Sequence, residues 1–170
     1  MKRITTLSFF MLFCWITAFA IPRAEYPRPQ FERNAWINLN GEWTYSFDFG
    51  GSGLEREWFK STGFDQKIIV PFCPESKLSG VEYKDFINHM WYHRTISIPQ
   101  DWANKQILLN FGAVYYKSEI YIDGVFAARH FGGTSSFQVD ITPYVKAGQT
   151  HNLVVYVESD VRGTHQPSGK

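Results

Sequence analysis

Cysteine is nearly absent from these 170 residues: Cys14 and Cys73 are the only two. That excludes the disulfide framework on which small exported domains often rely. Charge is sparse and balanced, with 17 Lys and Arg against 16 Asp and Glu. No basic run exists to displace counterions from a phosphate backbone, so nucleic acid is excluded as a partner. After residue 20 there is no apolar run near the roughly 20 residues that a membrane-spanning helix needs. Strand–helix alternation is missing too, which argues against a parallel sheet.

The start of the chain reads as a secretory signal peptide over residues 1–20. Lys2 and Arg3 open it, an apolar run follows from Leu7 to Phe19, and Ala18-Phe19-Ala20 makes a small-x-small cleavage site. The run is too short for an anchor and ends at small residues and Pro22. Bulky Phe13 before Cys14 speaks against lipid attachment there. Cleavage would leave 150 residues, 15 of them Lys or Arg and 16 Asp or Glu. That length holds one domain with a proper core. Cys73 would then be alone, and is expected as a buried small apolar residue.

Aromatic residues make up 18% of the chain, and Gly and Pro are scattered among short apolar runs. This composition favours strands and turns. Ile21 to Asn34 reads as an extended lead-in, because Pro22, Pro27 and Pro29 block regular pairing. Trp43, Tyr45, Phe47 and Phe49 alternate with Thr44, Ser46 and Asp48, the period of a half-buried strand. Further strands are expected at Lys67–Val70, Met90–Ile98, Gln106–Phe111, Lys117–Ile122, Val125–Phe131, Ser136–Ile141 and His151–Glu158. Asp123-Gly124 is a strong hairpin signal, since both positions must accept positive φ. Leu54–Lys60 and Thr142–Val145 suit single helical turns. The expected fold is all-β, an antiparallel sandwich or barrel.

Signals for chemistry are weak by comparison. His89 and His93 would be about 13 Å apart on a strand at some 3.3 Å per residue, too far to share a metal, and read as sheet-surface residues. Gly51-Ser52-Gly53 lacks the flanks of a phosphate loop and reads as a flexible loop. No Gly-x-Ser-x-Gly elbow occurs. Glycoside hydrolysis needs two carboxylates about 5–10 Å apart, and spacing alone selects no pair from sixteen. Exposed Trp and Tyr can stack on sugar rings, but Trp43 and Tyr45 are expected in the core. Trp91 and Tyr92 point to opposite faces, so at most one of them is expected there. Arg94 is expected to be paired or snorkelling.

Seven short motifs follow one another in order. They are Leu39-Asn40-Gly41-Glu42-Trp43, Val70-Pro71-Phe72-Cys73-Pro74-Glu75-Ser76, Met90-Trp91-Tyr92-His93-Arg94, Phe111-Gly112-Ala113-Val114, Tyr121-Ile122-Asp123-Gly124, Gly132-Gly133 and Asp140-Ile141-Thr142. Gln166-Pro167-Ser168-Gly169-Lys170 closes the chain. From about Tyr26 to Lys170 this resembles the N-terminal sugar-binding domain of glycoside hydrolase family 2, the β-galactosidases, β-glucuronidases and β-mannosidases. The resemblance implies a jelly-roll β-sandwich over residues 21–170. In the family an immunoglobulin-like domain and a (β/α)₈ barrel follow, and the barrel carries the two glutamates of a retaining mechanism. The sequence is thus expected to be a fragment, inactive alone, of an exported β-glycosidase.

The resemblance also implies one site residue. A loop after the last strand reaches the barrel mouth in relatives and contributes a carboxylate to the sugar site; the matching position is Asp160. The bland alternative is an Asp capping a turn. Arg162 and His165 lie in the same segment without assigned roles, and Glu75 belongs to a structural motif rather than to catalysis. The expected partners are a terminal β-linked sugar and, within the whole protein, the barrel. No catalytic residue, cofactor or metal is called for in this chain, and a homo-oligomer is compatible with the family although the sequence displays no seam. Two other readings stay open: a free-standing carbohydrate-binding module, and a purely structural domain that docks on the barrel. Periplasm, cell surface and medium all begin with the same export signal.

Overall fold

Alternation of apolar and polar residues becomes eight antiparallel strands in the computed structural model, which describes residues 21–26 and 32–163. The expected signal peptide, His165 and the Gln166–Lys170 motif lie outside the described residues, as do Pro27 and Pro29 of the lead-in. The strands are β1 (Gly41–Phe47), β2 (Gln66–Val70), β3 (His89–Ser97), β4 (Leu108–Phe111), β5 (Lys117–Ile122), β6 (Val125–Phe131), β7 (Phe137–Asp140) and β8 (Thr150–Glu158). Six form one sheet in the order β2-β1-β3-β8-β5-β6, and β4 pairs with β7 in a second. The fold is an all-β jelly-roll sandwich, and the barrel alternative falls away.

Between β5 and β6, Asp123 (φ 48°) and Gly124 (φ 79°) both take the left-handed conformation that a two-residue hairpin turn demands. The two expected helical turns shrink to three-residue 3₁₀ segments, Trp58–Lys60 and Thr142–Tyr144. Strand β8 is last in sequence yet central in space. It pairs with β3 over nine residues, His89↔Glu158 to Ser97↔Thr150, and with β5 on its other side. Whatever follows β8 therefore emerges near the middle of one end of the large sheet.

The main core fills the space between the sheets. Trp43, Tyr45, Ile96, Ile120, Leu153 and Val155 from the large sheet meet Leu109 of β4 and Val139 of β7. Burying side chains of this size contributes roughly 1.5–3 kcal/mol each. The opposite face of the large sheet is covered as well. Trp91, Tyr121, Val154 and Tyr156 form a second cluster under Trp58, Phe59 and Phe64 of the β1–β2 connection.

That second layer corrects two expectations. Trp91 is fully buried, yet Tyr92 on the other face also packs against the main core, because both faces of β3 are covered. His93 is buried rather than on a sheet surface. Its Nε2 lies 2.9 Å from Asn152 Oδ1 and its Nδ1 lies 3.3 Å from Thr44 Oγ1. Cys73 is also corrected: it is exposed, since the chain leaves β2 at Pro71 and turns outward before the 3₁₀ segment Lys77–Ser79. The lead-in is tied back to the domain by Asn40 Nδ2 donating to Pro22 O and Asn38 Nδ2 donating to Arg23 O.

Candidate functional site

The sheet registers bring the C-terminal ends of β1, β6 and β8 to the same edge as the N-terminal ends of β3 and β5. Phe47 faces Met90, Glu158 faces both His89 and Lys117, and Lys117 faces Phe131. Four loops and the segment after β8 meet at this end, and exposed aromatic rings gather on them. Phe49, Phe86, Tyr115 and Phe131 are each exposed there. A Cβ at Gly133 would overlap the Tyr115 ring, so the Gly132-Gly133 pair lets that ring lie flat against the next loop.

Asp160 is two residues beyond β8 on this end. Ser159 N–H donates to Asn88 O at 2.8 Å and fixes the point of exit from the sheet. Gly163 N–H donates to Asp160 O at 3.0 Å, closing a turn, and a Cβ at Gly163 would overlap Asp160 Oδ2. Asp160 itself is exposed. Beside it the Arg162 guanidinium stacks 3.4 Å from the Phe86 ring centroid, a cation–π contact that anchors the segment. The arrangement presents a carboxylate acceptor next to exposed rings, the pairing that suits sugar hydroxyls and sugar C–H faces.

Beneath this end runs a charged network that sequence reasoning missed. Glu119 is buried; its Oε1 accepts a hydrogen bond from Arg129 Nε at 2.9 Å and lies 2.8 Å from Arg129 Nη2 in an ion pair. Its Oε2 accepts from Tyr121 O–H at 2.6 Å. Lys117 Nζ lies 2.6 Å from Glu158 Oε2 and 3.7 Å from Glu119 Oε1. Burial, then the hydrogen bond to Glu119, pushes the Tyr121 phenol well above its ordinary range. Burial, then the Glu158 charge, does the same to Tyr156, whose O–H lies 2.8 Å from His89 Nδ1. Both phenols are therefore held as O–H groups, and both carboxylates sit against cations. The network is built to hold shape, not to exchange protons.

Asp48 was also missed as an organiser. It was expected on the polar side of a strand that continued to Phe49; β1 instead stops at Phe47 and the Asp48 carboxylate turns inward. Its oxygens accept from Ser52 N–H (3.0 Å), Gly53 N–H (2.8 Å) and Trp91 Nε1–H (3.1 Å). The glycine-rich loop read as flexible is thereby pinned to the sheet. An Asp two residues before Gly-Gly-Ser-Gly is a recognisable loop-capping signal, and it could have been found.

A family model described as glycosyl hydrolases family 2, sugar binding domain, matches residues 37–165. The chain belongs to that family. Among curated relatives it is 29% identical over 135 residues to a β-glucuronidase of Felis catus, covering 72% of this chain and 20% of that protein. It is 26% identical over 146 residues to a β-galactosidase of Thermoanaerobacter pseudethanolicus, covering 78% and 18%. Among solved structures, the β-glucuronidase of Ruminococcus gnavus in complex with D-glucaro 1,5-lactone superposes with a TM-score of 0.66 at 27% identity, over 77% of this chain and 23% of that one. The chain thus spans about a fifth of the length of the curated relatives it matches.

Within this sugar-binding domain the other singled-out residues have structural surroundings. Glu75 is exposed in a loop whose next residue, Ser76, caps a 3₁₀ segment by accepting from Leu78 N–H at 3.1 Å. Among the described residues Arg94 pairs with no carboxylate. Its Nη1 donates to the carbonyls of Leu39, Asn40 and Glu42, at 2.8, 3.1 and 3.3 Å, and burial lowers its pKa. Among the described residues no group of three or more His, Cys, Asp or Glu is placed to hold a metal ion.

Proposed function

We propose that this chain is the N-terminal domain of an exported β-glycosidase, with residues 1–20 as its signal peptide. In this reading Asp160 stands at the rim of an active site whose acid/base and nucleophile glutamates belong to a separate catalytic barrel. The observation that carries it is the position of Asp160: an exposed carboxylate leaving the central strand on an end rich in exposed aromatic rings. Among these rings Phe86, Tyr115 and Phe131, with Phe49 left to the β1 side, supply exposed apolar surface, which supports docking of this end on the barrel. The substrate class is a terminal β-linked sugar. β-Glucuronides are the first to assay, because relatives from cat, dog and Ruminococcus gnavus carry the name β-glucuronidase.

The deciding experiment is Asp160→Asn in the full-length enzyme. Asn keeps the shape and removes the charge that strengthens bonds to sugar hydroxyls. Losing such a bond costs about 1.5–3 kcal/mol, which is roughly ten- to a hundredfold in kcat/KM on a nitrophenyl β-glycoside. The Tm should hold. The Asp160–Gly163 turn favours one competing reading, a purely structural Asp, and that reading predicts a lower Tm with unchanged kcat/KM in the folded fraction. Unchanged efficiency in a fully folded variant removes Asp160 from the sugar site.

A further inference from the structure

Strand β2 begins at Gln66 opposite Tyr45, so β1 runs on through Ser46 and Phe47 without a partner on that side. The missing pairing leaves a notch of about 460 Å³ between the end of β1 and the 58–66 segment. This falls within the roughly 300–1,000 Å³ typical of small-molecule sites. We propose that the notch is a second carbohydrate subsite, separate from Asp160, which takes a neutral β-linked oligosaccharide.

Three features of the lining carry the proposal. Aromatic rings line its walls: Phe49, 64% exposed, and Trp58 and Phe64, 5.9 Å apart between centroids. Phe49 is held in place by Phe47 and Tyr83, at centroid distances of 5.4 and 6.0 Å, so its ring is presented on a fixed support. Aromatic surface held against packed neighbours costs little entropy to use in binding.

The polar groups are the second feature. Asp65 and Trp58 line the notch, and neither the carboxylate nor the indole N–H has a hydrogen-bond or ion-pair partner among the described residues. Gln66 lies beside them. An uncommitted carboxylate, an amide and an N–H between aromatic walls match the alternation of hydroxyls and C–H faces on a pyranose whose substituents are all equatorial. A purely apolar partner would leave these groups unpaired, at a cost of about 1–3 kcal/mol each.

Charge is the third, and it chooses among sugars. Asp65 is the one charged residue of the lining. Arg56 stacks on Trp58, 4.8 Å from the ring centroid, but does not line the notch. A uronate or sulfated sugar would meet a like charge without a compensating cation, so the neutral chain is favoured. The notch therefore differs from a uronate-binding site in its ligand as well as in its place, and it stands or falls independently of Asp160.

The test titrates the full chain with cellotetraose, and with tetragalacturonate as the acidic counterpart, followed by Trp fluorescence and calorimetry. Cellotetraose should give a saturable response and tetragalacturonate none. Phe49→Ala and Asp65→Asn change exposed side chains and should leave the fold intact, while each weakens cellotetraose binding roughly tenfold. Asp160→Asn should bind cellotetraose like the parent. No saturable response, equal binding of the acidic sugar, or Phe49→Ala and Asp65→Asn variants that titrate like the parent would each overturn the proposal. So would a loss of binding in Asp160→Asn, which would move the ligand to the rim.

Discussion

Asp48 is a carboxylate with 4% exposure and no cation among its hydrogen-bond partners, only the N–H groups of Ser52, Gly53 and Trp91. Asp48→Ala would leave those donors inside the protein without an acceptor. Each bond to a charged group contributes about 1.5–3 kcal/mol, but bonds that share one acceptor do not add independently. Removing the carboxylate also returns part of its desolvation cost. Weighing these, the loss should be about 2–4 kcal/mol, since the neutral N–H donors left unsatisfied cost about 1–3 kcal/mol each and no charge is left unpaired. That is a large share of a typical total of about 5–15 kcal/mol. Urea unfolding of the purified chain, with the m-value compared between variants, measures it. Trp91→Phe removes one donor and also opens a cavity where the indole is fully buried, and the double variant should cost clearly less than the sum. A loss below about 1 kcal/mol for Asp48→Ala, the size of an ordinary surface change, would refute the idea that this carboxylate holds the loop.

Two further perturbations address neighbouring parts of the fold. Gly53→Ala should destabilise comparably to Asp48→Ala, because a Cβ there would collide with the buried Trp91 ring and the Asp48 carboxylate; thermal melts that superpose on the parent's would contradict this close approach. Burial would raise the Asp123 carboxyl, but hydrogen bonds from Asn152 N–H and His151 outweigh it and hold it below the ordinary carboxylate range. Its contribution is therefore complete above the unfolded pKa of about 3.9 and is lost as pH falls through the lower folded value. The stability gap between the parent and Asp123→Asn should shrink on acidification across that window, modestly because the side chain is 44% exposed and screened by solvent. A gap that is constant or widens would refute the assignment.

The strands were legible because local chemistry and tertiary context agree on them. The ends of β5 and β6 coincide with the expected runs, since Asp123-Gly124 fixes the turn and hence the register. Elsewhere the ends differ by a residue or two where a side chain takes over from the ladder. Thr142 Oγ1 accepts Ile107 N–H at 2.8 Å, for example, so β4 begins only at Leu108. Asp160 came from family resemblance, not from spacing, and its place on the end of a central strand depends on the long-range pairing of β8 with β3 and β5. No local pattern announces that pairing.

The second core explains most of what was not legible. Alternation along β3 predicts which residues share a face, and it did so: Trp91 and His93 are together, Met90 and Tyr92 opposite. It cannot tell whether a face is covered. That depended on the β1–β2 connection, whose Trp58, Phe59 and Phe64 look in sequence like a charged, loop-forming stretch. Those residues follow the turn at the end of β1 that the Asp48 carboxylate holds through Ser52 and Gly53 N–H. Beyond Tyr45, β1 has no β2 partner, and the notch opens on that side. One buried carboxylate thus links the closure of the outer core to the shape of the proposed sugar subsite, so Asp48→Ala should weaken cellotetraose binding even in the fraction that stays folded.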